Sequence, residues 1–261
     1  MKILFLGDVV GRPGRKIVSD LLPRLVRSLE ADMVIANGEN AAAGNGLTAE
    51  TARELYSSGV AVITMGNHTW DKKEIFDFID SDPHLIRPAN YPPGTPGRGW
   101  TLYEPKPGKP SVAVVNLMGR VFLHPIECPF RMADALVEEV RKVTPIIIVD
   151  FHAEATSEKI AMGWHLDGRV SAVVGTHTHV QTSDERILPQ GTAYITDVGM
   201  TGPRNSILGI KPEIILRKFL TQLPARFEVA EGEAQINAVL ITVDDRTGLA
   251  VEICKINRLS N

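Results

Sequence analysis

The stretch KILFLGDVVG, residues 2–11, decides the fold class, because a short apolar run ends in a polar pair. The run at residues 3–6 is shorter than the ~7–15 apolar residues that a signal peptide needs, so it predicts a first β-strand. Gly7-Asp8 follows this strand directly. In open α/β sheets, ligands bind beyond the carboxyl ends of the strands. Asp8 is therefore the first candidate for a functional site.

Outward from this strand, β-branched runs alternate with helical patterns, and the last two strands are joined by the turn-rich residues 244–248. The β-α-β-α order predicts an α/β fold with a mainly parallel sheet and a closing antiparallel hairpin. Pro23 is expected to kink or split the first helix, and Thr48 and Asp71 are expected helix N-caps. The predicted strands are 2–6, 33–36, 61–65, 112–117, 146–150, 172–175, 193–196, 237–243 and 250–256, and the predicted helices are 14–29, 49–58, 72–79, 132–142, 157–166 and 212–223.

Composition places the chain among ordinary globular proteins. Its 261 residues are 44% apolar, which fits one domain over residues 1–261. A net charge of −3 excludes an extended nucleic-acid surface, because there is no excess of cations to neutralise phosphates. No stretch approaches the ~18 apolar residues of a membrane span, so no membrane partner is expected.

Cysteine usage and loop composition add three expectations. Cys128 and Cys254 lie far apart and are expected to be buried, reduced thiols, with a single disulfide as the alternative. Reduced cysteines, together with an N-terminal apolar run that is too short for a signal peptide, predict a cytoplasmic protein. The Pro- and Gly-rich residues 87–110 are long for a connection and predict a functional loop at the rim of a site.

Side chains that can bind metals follow five of the predicted strands. Asp8, Glu39 and Asn67 stand about 30 residues apart, the length of one βαβ unit, which brings strand ends together in space. Mixed carboxylate and imidazole ligands suit Mn, Fe or Zn, and Glu39 is the residue we expect to bridge two ions. The full candidate set is Asp8, Glu39, Asn40, Asn67, His152, His177 and His179.

Each candidate also has a structural interpretation. Asp8 or Asn67 could cap a turn or helix, Glu39-Asn40 could be turn residues, and His152 could be a satisfied core histidine. The other histidines, His84, His124 and His165, are expected to be structural.

The conformation of His177-Thr178-His179 stays open at this point. If this segment is extended, the two rings point in opposite directions. If it is a turn, which Gly175 permits, the rings can straddle a pair of metals.

These motifs resemble the calcineurin-like metallophosphoesterases. The resemblance rests on Gly7-Asp8, on Gly66-Asn67-His68, on the lone His152 and on the segment GTHTH at 175–179. Two features depart from the general family: Val10 stands where that family has a histidine, and the second motif is Gly38-Glu39-Asn40. Both features are similar to the YmdB-like bacterial phosphodiesterases, and this similarity extends over nearly the whole chain. The resemblance implies a two-sheet β-sandwich flanked by helices, a di-iron or similar centre, and hydrolysis of 2′,3′-cyclic nucleotides.

The resemblance also implies ligand sets and a cofactor. Glu39 would bridge two ions per chain. The first ion would also be held by Asp8, Asn40 and His179, and the second by Asn67, His152 and His177. Because Val10 cannot supply an imidazole, the first site is rich in oxygen, which favours Fe or Mn over Zn. We expect Fe, with Mn and Zn as alternatives.

The remaining expectations concern catalysis. His68, next to Asn67 but not needed as a ligand, is expected to act as general acid while a hydroxide between the metals attacks phosphorus. Arg12, Arg15 and Arg204 are candidates for binding the substrate phosphate, with solvated surface charges as the alternative. We expect a small phosphodiester substrate, and a homodimer or homotetramer is possible.

Two rival functions remain open. One is a phosphomonoesterase or protein phosphatase on the same centre. The other is a non-catalytic regulator that binds a nucleotide or an RNA end.

Overall fold

The computed structural model describes residues 1–260 and forms two stacked β-sheets with helices on both outer faces. Its strands are β1 (Lys2–Leu6), β2 (Asp8–Val9), β3 (Met33–Asn37), β4 (Val62–Thr64), β5 (Leu85–Ile86), β6 (Trp100–Tyr103), β7 (Val112–Met118), β8 (Ile146–His152), β9 (Ala172–Thr176), β10 (Arg186–Ile187), β11 (Ala193–Ile195), β12 (Met200–Pro203), β13 (Ala234–Val243) and β14 (Ala250–Leu259). Its α-helices are α1 (Gly11–Leu29), α2 (Ala49–Ser57), α3 (Pro129–Val140), α4 (Thr156–Leu166) and α5 (Pro212–Thr221).

Both sheets have a parallel centre. In the first sheet the order is β2-β12-β13-β1-β3-β4-β5, with β14 also paired to β13, and β1, β3, β4 and β5 are parallel. In the second sheet the order is β10-β11-β9-β8-β7-β6, with β7, β8, β9 and β11 parallel. Strands β13 and β14 form the predicted antiparallel hairpin. The expected α/β sandwich of two sheets is therefore confirmed.

Alternation of side chains along the strands builds the layers. In β1, Ile3 and Phe5 pack between the sheets, whereas Leu4 and Leu6 pack against the layer that contains α1 and α2. The same alternation in β7 sends Val114 into the space between the sheets and Val115 toward α3 and α4. Because both faces of each sheet are covered, the central strands have continuously apolar sequences.

The first helix is longer than predicted. It begins at Gly11 rather than residue 14, directly after β2 and the N-cap residue Val10, so Arg12 and Arg15 lie on a helix. Pro23 lies inside this helix and does not end it. Thr48 is confirmed as the N-cap of α2, where its side chain accepts a hydrogen bond from the Thr51 N–H.

The segment predicted as a helix at 72–79 is a 3₁₀ helix, Lys73–Asp77. Asp71 is not its N-cap, because that position belongs to Lys72, which makes no side-chain cap bond. The Asp71 carboxylate instead contacts His68 and Asn45.

The prediction of a rim loop over residues 87–110 is partly wrong. Residues Trp100–Tyr103 form β6, which pairs antiparallel with β7 at the edge of the second sheet. The part before β6 is held by Arg87, whose guanidinium donates to the carbonyls of four nearby loop residues. This part is therefore an ordered loop tied to a buried cation.

Two smaller expectations have mixed outcomes. Cys128 and Cys254 are free thiols, but both are half-buried rather than buried. Within residues 1–260, no helix is both long and apolar enough to cross a membrane.

Candidate metal centre

The carboxyl ends of the parallel strands from both sheets meet at one edge, where most of the predicted site residues lie. Asp8 follows β1, Glu39 follows β3 and Asn67 follows β4, while His152 ends β8 and His177 follows β9. Contacts across the two sheets join them: the His177 N–H donates to Asp8 Oδ2 at 3.2 Å.

Four candidate ligands converge on one point. His152 Nε2 lies 3.0 Å from Glu39 Oε1, 3.0 Å from Asn67 Oδ1 and 3.0 Å from His177 Nδ1. Ligand atoms of Glu39, His152 and His177 all lie within 4.8 Å of one another. Two imidazoles, one carboxylate and one amide oxygen form a donor set that suits a divalent transition metal.

A second group of donors lies beside the first. Asp8 is fully buried, and its Oδ1 has no hydrogen-bond partner among residues 1–260. A buried, unpaired carboxylate oxygen is costly, and a bound cation would remove that cost. His179 Nε2 lies 3.3 Å from Asn40 Oδ1, so these two donors are also adjacent. The charges of both His179 and Glu39 act on Asp8. The residues present therefore fit two neighbouring cations.

The buried charges of this cluster shift the pKa values of its members in opposite directions. Burial opposes charge on His152, but Glu39, Asp8 and Asp150 outweigh it and raise the pKa of His152 to about 9. Burial also opposes charge on Glu39, yet His152 lowers the pKa of this carboxyl to about 2. Burial, together with the charge of His152, lowers the pKa of His177 to about 3. Burial raises the pKa of Asp8.

A buried polar network supports His152 through its Nδ1 atom. His152 Nδ1 lies 2.9 Å from Thr176 Oγ1, and this hydroxyl donates to Asp150 Oδ1 at 2.7 Å. Asn37 Nδ2 donates to Asp150 Oδ2 at 3.2 Å. Such partners fix the orientation of a ligand ring. Asp150 and Asn37 are not among the predicted site residues, although Asp150 stands two residues before His152 on the same face of β8.

The segment from His177 to His179 is a turn. His177 has φ 102° and His179 has φ 64°, both in the left-handed region. Such residues cost about 1–3 kcal/mol each and persist only when their surroundings hold them. His177 Nε2 contacts Glu154 Oε2 at 2.9 Å, and His179 Nδ1 lies 3.1 Å from Leu208 O. Glu154 is a further partner that sequence reasoning missed.

His68 lies beside the cluster with its side chain 36% exposed. Its N–H donates to Glu39 Oε2 at 3.0 Å, and its Nδ1 lies 2.8 Å from Asp71 Oδ2. Burial and the charge of Glu39 raise the pKa of the Tyr91 phenol to about 12. The mouth of the centre therefore carries an imidazole that faces a carboxylate, with an aromatic residue nearby.

The three predicted arginines lie outside this cluster. Arg12 is exposed on the first turn of α1. Arg15 pairs with Glu54, and Arg204 pairs with Glu233 at 3.2 Å. Of the remaining histidines, His165 pairs with Asp134 and His84 packs edge-on against Tyr103.

A two-sheet sandwich with this cluster at its strand ends defines a calcineurin-like metallophosphoesterase. The chain belongs to the YmdB-like protein family, whose model matches residues 4–256. A Bacillus subtilis (strain 168) protein named 2′,3′-cyclic-nucleotide 2′-phosphodiesterase is 59% identical over 98% of this chain and 96% of its own length.

Solved structures agree with this assignment. A hypothetical protein from Thermus thermophilus is 45% identical with a TM-score of 0.94, and the match covers 100% of both chains. A structure described as a novel phosphatase from Mycoplasma pneumoniae is 38% identical with a TM-score of 0.93, covering 99% of this chain and 93% of its own.

Proposed function

We propose that this protein is a dinuclear, metal-dependent phosphodiesterase that hydrolyses 2′,3′-cyclic nucleotides to nucleoside 3′-phosphates. The observation that carries the proposal is the meeting of Glu39, Asn67 and His177 around His152 Nε2, each at 3.0 Å. The activity named for the Bacillus subtilis relative supports the substrate class.

We propose the predicted ligand sets for the two ions. Asp8, Asn40 and His179 would hold the first ion, Asn67, His152 and His177 the second, and Glu39 would contact both. When bound, such ions stabilise charge on the phosphate and supply a nucleophile near neutral pH. The carboxylate and amide oxygens of the first set support Fe, with Mn and Zn as alternatives.

His68 is proposed to move the proton. In a cyclic 2′,3′-phosphodiester, cleavage of the bond between phosphorus and O2′ leaves an alkoxide that must be protonated. The exposed ring of His68 stands at the mouth of the cluster, and Asp71 faces its Nδ1. The ring can therefore give a proton from Nε2 to the leaving oxygen, as a general acid does.

The arginines have weaker support as contacts for the substrate. Arg12 is exposed on α1 immediately after the cluster and makes no ion pair within residues 1–260. Arg15 and Arg204 are both ion-paired, and would need to exchange partners to bind phosphate. We therefore rank Arg12 first among these three candidates.

The experiment that tests the function is metal analysis followed by a substrate panel. Protein purified without chelator is expected to hold two metal ions per chain and to convert 2′,3′-cyclic nucleotides to 3′-monophosphates. It is expected to hydrolyse bis-p-nitrophenyl phosphate faster than p-nitrophenyl phosphate. The reverse preference would indicate a phosphomonoesterase, and no hydrolysis of any substrate would indicate a non-catalytic binder.

Self-association is a separate proposal. Helix α5 and the residues after it expose Phe219, Leu220 and Leu223, which are 67%, 84% and 56% accessible. Exposed apolar side chains this close together are unusual on a monomer. This supports the predicted homodimer or homotetramer, which sedimentation analysis would test. The single domain over 1–261 and the cytoplasmic location stay predictions.

A further inference from the structure

A fully buried ion pair lies behind the candidate metal centre and takes no part in the proposed chemistry. Lys159 is 1% exposed and Asp197 is 0% exposed. Lys159 Nζ donates to Asp197 Oδ2 at 2.7 Å. Lysine is almost never fully buried unless it is paired, so this position needs a reason.

The lysine side chain passes close to β9 of the second sheet on its way to the carboxylate. Lys159 belongs to α4, and Asp197 follows β11. An added Cβ at Gly175 of β9 would stand 3.0 Å from Lys159 Cδ. The same Cβ would stand 1.8 Å from Thr196 O, so the glycine of the GTHTH motif is required first by the neighbouring β11 backbone and only then by the lysine side chain.

The same carboxylate holds the turn between the two histidines. Asp197 Oδ2 accepts from the Thr178 N–H at 3.0 Å and from Thr178 Oγ1 at 2.7 Å, while Oδ1 accepts from the Gly199 N–H at 2.8 Å. Together with Lys159, these donors engage both oxygens of Asp197.

Stability alone does not account for this arrangement. Buried ion pairs are weak evidence for stability, because the cost of removing two charges from water offsets their attraction. What distinguishes this pair is its target: Thr178 sits between His177 at φ 102° and His179 at φ 64°. Asp8 holds the turn from one side through the His177 N–H, and Asp197 holds it from the other through Thr178.

We propose that Lys159 and Asp197 are positioning residues that lock the 177–179 turn, so that His177 faces one metal site and His179 faces the other. This inference rests on the proposed function, because it assumes that both histidines bind metal. Lys159 holds the Asp197 carboxylate in place, and Asp197 transmits that constraint through Thr178. Neither residue touches substrate.

The mildest test is Thr178→Val, which removes the hydroxyl bond to Asp197 and leaves the ion pair intact. Loss of a partner behind a metal ligand typically weakens metal affinity by about 10–100-fold. We expect that loss for Mn²⁺, measured by chelator competition on the metal-free chain, and near wild-type affinity for Thr178→Ser. Thr192→Val is the matched control. Its hydroxyl donates to Val170 O at 2.8 Å and accepts from the Gly168 N–H at 2.9 Å. Neither partner belongs to a metal site, so the metal affinity of this variant should be unchanged.

The second test removes the pair itself. The double variant Lys159→Met/Asp197→Asn avoids a lone buried charge and is expected to show the same about 10–100-fold loss of Mn²⁺ affinity. Adding Thr178→Val to it should cause little further loss, because all three changes act through one contact. If the double variant does not fold, the Thr178 series decides.

The outcomes separate this inference from the function on which it rests. Wild-type protein that binds fewer than two Mn²⁺ ions per chain overturns the proposed dinuclear centre. Two-ion binding by wild type with unchanged affinity in Thr178→Val overturns the positioning role alone. A lower melting temperature of metal-free Thr178→Val with unchanged metal affinity shows a purely structural contact and also overturns it.

Discussion

His68 Nδ1 lies 2.8 Å from Asp71 Oδ2, and this contact fixes the imidazole at the mouth of the metal centre. The same carboxylate oxygen accepts from Asn45 Nδ2 at 2.8 Å, so the carboxylate is held from a second side. The backbone N–H of His68 donates to Glu39 Oε2, which ties the residue to the proposed bridging ligand. His68 is therefore oriented by both its main chain and its ring, and Nε2 is left for chemistry.

Replacement of His68 by alanine is expected to remove proton transfer but not metal. General acid catalysis contributes about 10²–10⁴-fold, so kcat on a 2′,3′-cyclic nucleotide should fall by at least ~10²-fold. Metal content, measured on the same sample, should remain at the wild-type value. Unchanged turnover, or loss of metal, would contradict the role of general acid.

Asp71→Asn should lower kcat by a smaller factor, about 10-fold, because the ring stays but loses the charged partner that orients it. KM and metal content should change little, since Asp71 reaches the cluster only through His68. Asn45→Ala is the matched control, because it removes the other hydrogen bond to Asp71 and leaves His68 paired. Equal losses in both variants would show that the contact is only structural.

Glu39→Gln is expected to deplete the metal. Glu39 is 1% exposed and lies 3.0 Å from His152 through Oε1, so its charge is central to the buried cluster. A neutral amide offers one acceptor oxygen and no charge to bridge two cations. Metal analysis should find fewer than two ions per chain, and the activity should fall together with the metal content. A fully loaded, active variant would refute the bridge.

The strand ends were predictable because they depend on local pattern. The apolar run at β1 predicts a strand, because its side chains fill two apolar layers in alternation. Asp8 comes shortly after this strand, so the chain topology places Asp8 at the strand end. Two-residue strands such as β2 and β5 were missed, because two residues are too few to show an alternating pattern. They exist only because a neighbouring strand supplies the pairing.

Partners behind the site were harder to predict than the site itself. Asp71 has the sequence context of a helix cap, but its carboxylate contacts His68 and Asn45 instead. Glu154 and Lys159 look like ordinary charged residues near a helix start. Only the tertiary structure shows that one contacts His177 and the other is buried against Asp197.

Gly66→Ala should abolish metal binding while the fold survives. A Cβ at this position would overlap the His152 ring and Glu39 Oε2, the two groups at the centre of the cluster. Gly66 does not have a positive φ, so alanine itself is compatible with the backbone. Gly59→Ala is the converse control, since its φ is +107° but nothing lies within 4 Å of the added Cβ. It should lower the melting temperature and leave metal binding intact.

If metal-free Gly66→Ala has the circular dichroism spectrum of wild type but binds no Mn²⁺, the space at this glycine is required for the centre. Full metal loading of this variant would mean that His152 and Glu39 can move apart at little cost. The geometry around His152 Nε2 would then be less constrained than the short contacts indicate.

The end of the sandwich opposite the metal centre provides a pH-dependent prediction. Asp32 Oδ2 accepts from the Lys2 N–H of β1 at 3.0 Å, and Oδ1 pairs at 3.0 Å with Lys106, which lies between β6 and β7 of the other sheet. Burial raises the pKa of Asp32, but the bond from Lys2 and the charge of Lys106 outweigh it and lower the pKa below its usual value. Asp32 therefore contributes stability that is present above the pKa of the unfolded chain and is lost as the pH falls through the depressed pKa.

Asp32→Asn should lower the free energy of unfolding at about pH 7 by about 0.5–1 kcal/mol, since solvent screens part of the pair with Lys106. The difference from wild type should shrink as the pH falls, because the carboxylate in wild type is then protonated as well. Urea unfolding of both metal-free proteins across the acid range measures it. Asp20→Asn, which removes only an exposed pair with Lys16 within α1, serves as the control for loss of a surface charge. A difference that stays constant with pH would mean that Asp32 acts through its shape and not through its charge.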